Sequence, residues 1–113
     1  MVNMNVRAIN ALDNILNEEL TFGSMIKNIR ETEYEGMTQI AFSEKVLGLS
    51  KSRLSDIEND RKMISIPKAI EFAGKLNQSK RFFVTIAMQD MVKKSNLDYV
   101  VRLEDCQNSK LAI

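Results

Sequence analysis

Apolar residues recur every three or four positions in five stretches of the chain between residues 21 and 94, and this spacing predicts five amphipathic helices. In chain order the apolar positions are Phe22, Met25, Ile26 and Ile29; Phe42 and Val46; Leu54 and Ile57; Ile66, Ala69, Ile70, Ala73 and Leu76; Phe82, Phe83, Ile86 and Ala87. The last stretch has a second stripe at Val84, Met88, Met91 and Val92. A helix that is apolar on two sides predicts a second neighbour for it.

Hydroxyl residues, which are common N-caps, precede all five stretches: Thr21, Thr38, Ser50, Ser65 and Ser79. Pro67 follows closely on Ser65, and its fixed φ suits a first helical turn. Gly48 separates the second stretch from the third and supplies the left-handed backbone with which helices often end. Two helices joined by a short turn containing Gly form a helix-turn-helix unit. The prediction is an all-α domain over residues 21–95, with the fifth helix ending near Lys94.

The two ends of the chain have a different pattern. Residues 1–20 form an arm with apolar residues at helical spacing, and residues 1–21 hold one Arg and three acids, a net −2. An isolated helix of this length is marginal in water, so we expect it to form against a partner surface; docking on its own domain is the alternative. Residues 97–104 alternate apolar and charged side chains, which predicts a β-strand followed by a loose tail. Because no second strand is predicted, its partner should be a second polypeptide; an irregular tail is the alternative.

Composition narrows the range of functions. The 113 residues suit one small domain, and 16 basic residues nearly balance 15 acidic ones. The absence of His and the single Cys106 exclude His-based or paired-Cys zinc sites, a Cys–His couple and a Ser–His–Asp triad. With no Gly-rich phosphate loop either, we predict neither an enzyme nor a cofactor. No apolar run approaches the roughly 20 residues that span a bilayer, so we expect a cytoplasmic protein without membrane contact.

Residues 37–61 resemble the helix-turn-helix family of lambda-type repressors, the XRE or Cro/repressor family, and the resemblance extends over residues 22–90. The matching positions are Thr38, Gln39, Ser43, Gly48, Ser50, Lys51, Ser52, Leu54, Ile57, Glu58 and Arg61. The chain departs from the family in the spacing between a small residue, here Ser43, and the Gly of the turn. In family members the Gly usually follows four residues later. Here Gly48 follows by five, so Val46 or Leu47 is an extra residue that lengthens the second helix or bulges the turn.

The resemblance implies that the third helix lies in the major groove of double-stranded operator DNA. The residues that this assigns to DNA are Thr38, Gln39, Ser50, Lys51, Ser52, Arg53, Asp56, Arg61 and Lys62. Thr38 and Gln39 would hold a phosphate at a helix N-terminus, and Arg53 would read guanine. Asp56 would orient Arg53 or accept from a cytosine amine.

Phosphate contacts are expected from Arg61 and Lys62, and more weakly from Lys27 and Arg30. Arg61 pairing with Glu58 or Asp60 instead is the structural alternative. Glu58 is expected to hold a neighbouring loop rather than DNA. The position of Lys80 and Arg81 at the start of the fifth predicted helix has no apparent physical reason, since a cation is unfavourable there.

The flanks of this region resemble HigA-type antitoxins at residues 20–23 (Leu-Thr-Phe-Gly), 78–80 (Gln-Ser-Lys), 87–90 (Ala-Met-Gln-Asp) and 97–104. That resemblance implies a dimeric autorepressor of a toxin–antitoxin operon that neutralises a small basic RNase toxin. It assigns toxin binding to Val6, Ile9, Leu12 and Leu16, and dimerisation to Met88, Met91, Tyr99, Val101 and Leu103. A phage-type or other repressor without a toxin, and a protein-binding module that no longer binds DNA, are the alternatives.

Overall fold

The computed structural model describes residues 20–106, and this part of the chain is all-α. Its five helices are α1 (Phe22–Glu33), α2 (α-helical over Gln39–Ala41 and π-helical over Phe42–Leu47), α3 (Lys51–Glu58), α4 (Ile66–Lys75) and α5 (Lys80–Lys94). The five predicted caps are confirmed, because Thr21, Thr38, Ser50, Ser65 and Ser79 each accept a hydrogen bond from the backbone N–H three residues ahead. None of the described helices is long and apolar enough to cross a bilayer.

The hydrophobic core receives buried side chains from all five helices, including Phe42 and Leu47 of α2. Phe22 at the start of α1 packs edge-on against Phe83 of α5, with ring centroids 5.5 Å apart, and its centroid lies 6.3 Å from that of Phe72 in α4. All three rings are almost fully buried. Aromatic pairs at these distances and angles contribute beyond their buried area, so Phe22 fixes α1 against two other helices.

The predicted inner face of α4 is partly wrong. Ala69, Phe72, Ala73 and Leu76 are buried, whereas Ile66 and Ile70 are 38% and 39% exposed. Phe72 lies two residues after Ile70, about 200° around a helix, so both cannot face the core, and the larger ring takes the inner side. In the same way Phe82 is 37% exposed beside buried Phe83.

The predicted strand is absent from the part of the chain that the structure describes. Residues 97–106 make no turn or bend and run back along α5. Buried Gln89 binds this segment through both ends of its amide: Nε2 donates to the Tyr99 carbonyl at 2.8 Å and Oε1 accepts from Val101 N–H at 2.7 Å. The amide thus offers the donor and acceptor that a neighbouring strand would offer. The second neighbour of α5 is therefore the chain's own C-terminal segment.

Arg81 holds the far end of this segment. Its guanidinium pairs with Asp105 and donates to the Leu103 carbonyl at 3.4 Å. This acidic partner explains an Arg at the start of α5. Of the residues assigned to dimerisation, Met88, Met91, Val101 and Leu103 are half-buried, and Tyr99 is 68% exposed. The arm with Val6, Ile9, Leu12 and Leu16 lies outside the described residues.

Candidate nucleic-acid interface

The π-helical part of α2 accommodates the extra residue. The carbonyl oxygen of Ser43 accepts from the N–H of Gly48, five residues on, and from that of Leu49 at 2.8 Å. A π turn contains more residues than an α turn, so the additional residue is taken up inside the helix. Gly48 still ends α2 with φ 70°, in the left-handed region. The helix is lengthened, and the turn to α3 remains short. Of the two residues predicted to be buried in this helix, Phe42 is buried, whereas Val46 is half-buried against the core and Leu47 is the second fully buried side chain.

Helix α3 exposes the face that the sequence assigned to DNA. Leu54 and Ile57 are buried at 0% and 3% exposure. Ser52, on the opposite side of the helix, and Lys51 and Arg53, at the two edges of the buried side, are exposed. Ser50 caps the helix by accepting from the N–H of Arg53 at 3.1 Å. Within residues 20–106 nothing covers these outer side chains, so the helix presents two cations beside its positively polarised N-terminus.

Asp56 makes a different ion pair from those expected. Its Oδ1 lies 2.7 Å from Nη1 of Arg61, and its carbonyl accepts from Arg61 N–H at 2.9 Å. The expectation that Asp56 orients Arg53, and the alternative that Arg61 pairs with Glu58 or Asp60, are therefore both wrong in this structure. The Arg61 side chain is 57% exposed. An exposed pair contributes little to stability, so the guanidinium can exchange Asp56 for a phosphate at small cost.

Further cations lie beside α3. Arg53, Lys62 and Lys68 line a cavity of about 180 Å³ that also includes the N-cap Ser65. Lys68 donates to Glu71 at 3.1 Å, and Lys75 lies 2.8 Å from the same carboxylate. These two cations lower the pKa of Glu71 by hydrogen bonding to it. Lys68 was not among the DNA-contacting residues predicted from the sequence. Its position in the first helical turn after the N-cap Ser65 could have indicated it.

Thr38 and Gln39 are at the N-terminus of α2, as predicted. Thr38 is exposed, and its hydroxyl accepts from the N–H of Ala41 at 3.0 Å. Gln39 is half-buried, and its Nε2 lies 3.4 Å from Oε1 of Glu58. The Gln39 amide therefore contacts Glu58 at the end of α3, whereas the Thr38 side chain is exposed to solvent.

Glu58 connects three helices. Arg30 of α1 donates to both of its carboxylate oxygens, from Nε at 2.8 Å and Nη2 at 2.9 Å. The Glu58 side chain is only 4% exposed, and this paired hydrogen bonding raises the pKa of Arg30. Two expectations are corrected here: Glu58 holds α1 and α2 rather than a loop, and Arg30 is engaged inside the fold rather than free for a phosphate. The pair sets α3 against the rest of the domain.

Asp60, just after α3, caps the start of α1. Its Oδ1 accepts from Gly23 N–H at 3.1 Å, and its Oδ2 accepts from the Thr21 hydroxyl at 2.8 Å. Oδ2 of Asp90 accepts from Phe22 N–H at 2.9 Å. Burial raises the pKa of Asp90, and the nearby Asp60 charge raises it further. Sequence reasoning missed both carboxylates as caps, because each is more than 35 residues from the N–H that it binds.

Comparison with known proteins agrees with this geometry. A model of the helix-turn-helix family matches residues 26–83, which is 58 of the 113 residues. Comparisons with curated proteins and with solved structures gave no match. The matched region includes α2, α3, the turn between them and both members of the Arg30–Glu58 pair. The chain therefore belongs to the XRE/Cro-type, lambda-repressor-like helix-turn-helix family of DNA-binding transcriptional regulators.

Proposed function

We propose that the protein is a sequence-specific DNA-binding antitoxin and the autorepressor of its own toxin–antitoxin operon. It binds operator DNA as a dimer and neutralises a small basic RNase toxin. The observation that carries the DNA-binding half is the open outer face of α3, where Lys51, Ser52 and Arg53 are exposed while Leu54 and Ile57 are buried. A helix with this polarity fits the major groove, and a symmetric dimer places two such helices about 34 Å apart, one turn of DNA.

Roles in operator binding follow from position. Arg53 is in the first turn of α3, where side chains reach base edges, and its guanidinium matches O6 and N7 of guanine. Arg61 and Lys62 follow the end of α3 and are exposed, which suits phosphates on the flanking backbone. Lys68 lines the same cavity as Arg53 and therefore places one more cation beside α3. Thr38 and Gln39 offer a phosphate site at the N-terminus of α2.

We expect Arg53→Ala to relax operator choice, because one bidentate contact to guanine contributes about 1–3 kcal/mol of discrimination. Arg61→Ala should weaken binding to all sequences alike and lower the salt slope by about one phosphate contact. The measurement is binding to the operator and to single-base variants over a range of salt concentrations. A uniform loss in both variants would remove Arg53 as a base reader. Binding without salt dependence would favour the protein-binding module.

The antitoxin half of the proposal depends on residues 1–20. Val6, Ile9, Leu12 and Leu16 recur at helical spacing in the sequence, and the net charge of −2 over residues 1–21 complements a basic RNase surface. A segment that orders only on binding can cover a large surface of its partner.

Deleting residues 1–20 should abolish rescue from the toxin encoded beside this gene but preserve operator binding. The first measurement is growth of cells that co-express the toxin and the truncated chain. The second is operator binding by the purified truncated chain. Arg53→Ala is the matched control, because it should keep rescue and change operator choice. Unimpaired rescue by the truncated chain would reject the arm as the toxin-binding element. An isolated gene without a small basic neighbour would favour a phage-type or other repressor without a toxin, which the family match over residues 26–83 fits equally well.

A further inference from the structure

The C-terminal segment, residues 97–105, has one occupied edge and one open edge. Its occupied edge consists of main-chain groups of odd-numbered residues: the carbonyls of Tyr99 and Leu103 and the N–H of Val101. These bind Gln89 and Arg81 of α5. In an extended chain the main-chain groups of successive residues point to opposite sides. The even-numbered residues therefore direct their N–H and carbonyl groups away from α5.

The open edge consists of Val100, Arg102 and Glu104. All three are exposed, and no hydrogen bond joins their main-chain groups to any residue among 20–106. The same segment contains three of the eight most exposed large apolar side chains of the described region: Leu97, Tyr99 and Val100. An extended edge with unpaired main-chain groups and exposed apolar side chains is a template for another strand.

We propose that this edge pairs antiparallel with the same edge of a second copy, with the two-fold axis at Leu103. This inference rests on the dimer of the proposed function and specifies its interface and register. Only registers that place even-numbered residues opposite each other use the open edge. With the axis at Leu103, Arg102 lies opposite Glu104 of the second copy, and Glu104 lies opposite its Arg102. Each dimer thus gains two cross-strand pairs of opposite charge.

The neighbouring registers are unfavourable by the same criterion. An axis at Arg102 places two guanidinium groups opposite each other. An axis at Val101 places Asp98 opposite Glu104. Like charges directly opposite each other destabilise a strand pair, so charge disfavours these two registers. An axis at Val100 would pair Asp98 with Arg102 instead; it leaves Glu104 opposite Asn96, so the charge exchange described next distinguishes it from the Leu103 axis. A two-stranded ribbon alone is marginal in water, but here Gln89 and Arg81 hold each strand on its own domain.

A charge exchange tests the register in the full chain, by sedimentation equilibrium without DNA. Arg102→Glu and Glu104→Arg should each weaken dimerisation by about tenfold or more, because each places like charges at both cross-strand positions. The double variant Arg102→Glu/Glu104→Arg should return the dimer to the wild-type dissociation constant. Neither side chain makes a hydrogen bond or ion pair with a described residue, so the fold is unaffected. A double variant no better than the single ones, or a wild-type chain that stays monomeric, would overturn the proposal.

Cross-linking gives a second measurement. In a Cys106→Ser background, Leu103→Cys should form a disulfide-linked dimer under mild oxidation, because residues facing each other at the axis have Cα atoms within disulfide range. Val101→Cys is the matched control, since its two copies would lie about 14 Å apart. Equal cross-linking of both variants would reject the register. Sedimentation and cross-linking need no DNA. A chain that dimerises in this register but does not bind the operator would therefore contradict the proposed function and leave the register intact.

Discussion

Gly23→Ala is expected to lower the free energy of unfolding by about 3 kcal/mol, although Ala is normally the better helix residue. A Cβ added at Gly23 would lie 2.2 Å from the carbonyl oxygen of Ile57 and 2.5 Å from Oδ1 of Asp60. The first of these is backbone at the end of α3 and cannot turn aside. The substitution must therefore move α1 away from α3, and it weakens the hydrogen bond from Gly23 N–H to Asp60.

Gly74→Ala is the matched control for this prediction. Gly74 is in α4 and has no atom within 4 Å of an added Cβ. The control should gain about 0.5–1 kcal/mol from reduced chain entropy and better helix propensity. Urea unfolding of both variants against wild type measures the two changes with opposite signs. If Gly23→Ala were neutral or stabilising, the close approach of α1 to the end of α3 would be disproved.

Glu58→Gln is expected to lower the free energy of unfolding by about 3 kcal/mol, because breaking a buried ion pair leaves a charge without compensation. The Arg30 side chain is 17% exposed, so water cannot replace the lost carboxylate fully. Operator affinity should also fall, because the Arg30–Glu58 pair aligns α3 with α1, although neither side chain is assigned to DNA.

An exposed carboxylate provides the control for this second prediction. Glu71 pairs with Lys68 and Lys75, and its side chain is 39% exposed. Glu71→Gln should leave the free energy of unfolding almost unchanged, since exposed ion pairs contribute little. Thermal or urea unfolding distinguishes the two variants. Equal effects would mean that burial of Glu58 does not strengthen its pair.

The helices were predictable from local chemistry. A cap forms between residues three apart, so Ser50 and its four counterparts marked every helix start without knowledge of the fold. The open face of α3 followed only in part: helical periodicity places Ser52 and Asp56 opposite Leu54 and Ile57, whereas Arg53 is one turn before Ile57 and lies at the edge of the buried side. The inner face of α4 was not predictable from spacing alone, since its choice depends on Phe22 in another helix.

The ion pairs and caps between elements were beyond the sequence. Glu58 is 28 residues from Arg30, and Asp90 is 68 residues from the N–H of Phe22. Such partners are determined by how helices pack, which periodicity does not specify. For the predicted strand, alternation indicated an extended chain correctly. Within the described residues, however, one edge of that chain bonds to the buried amide of Gln89 on α5, which the sequence pattern does not indicate.

The inner and outer residues of the eight-residue helix α3 have different roles. Leu54, Ile57 and Glu58 fasten it to the domain, whereas the side chains of Lys51 to Arg53 make no hydrogen bond to another residue of the described region. The outer residues can therefore be exchanged with little change in the free energy of unfolding. After gene duplication, two copies of this scaffold could acquire separate binding sites through a few substitutions and cease to cross-regulate each other.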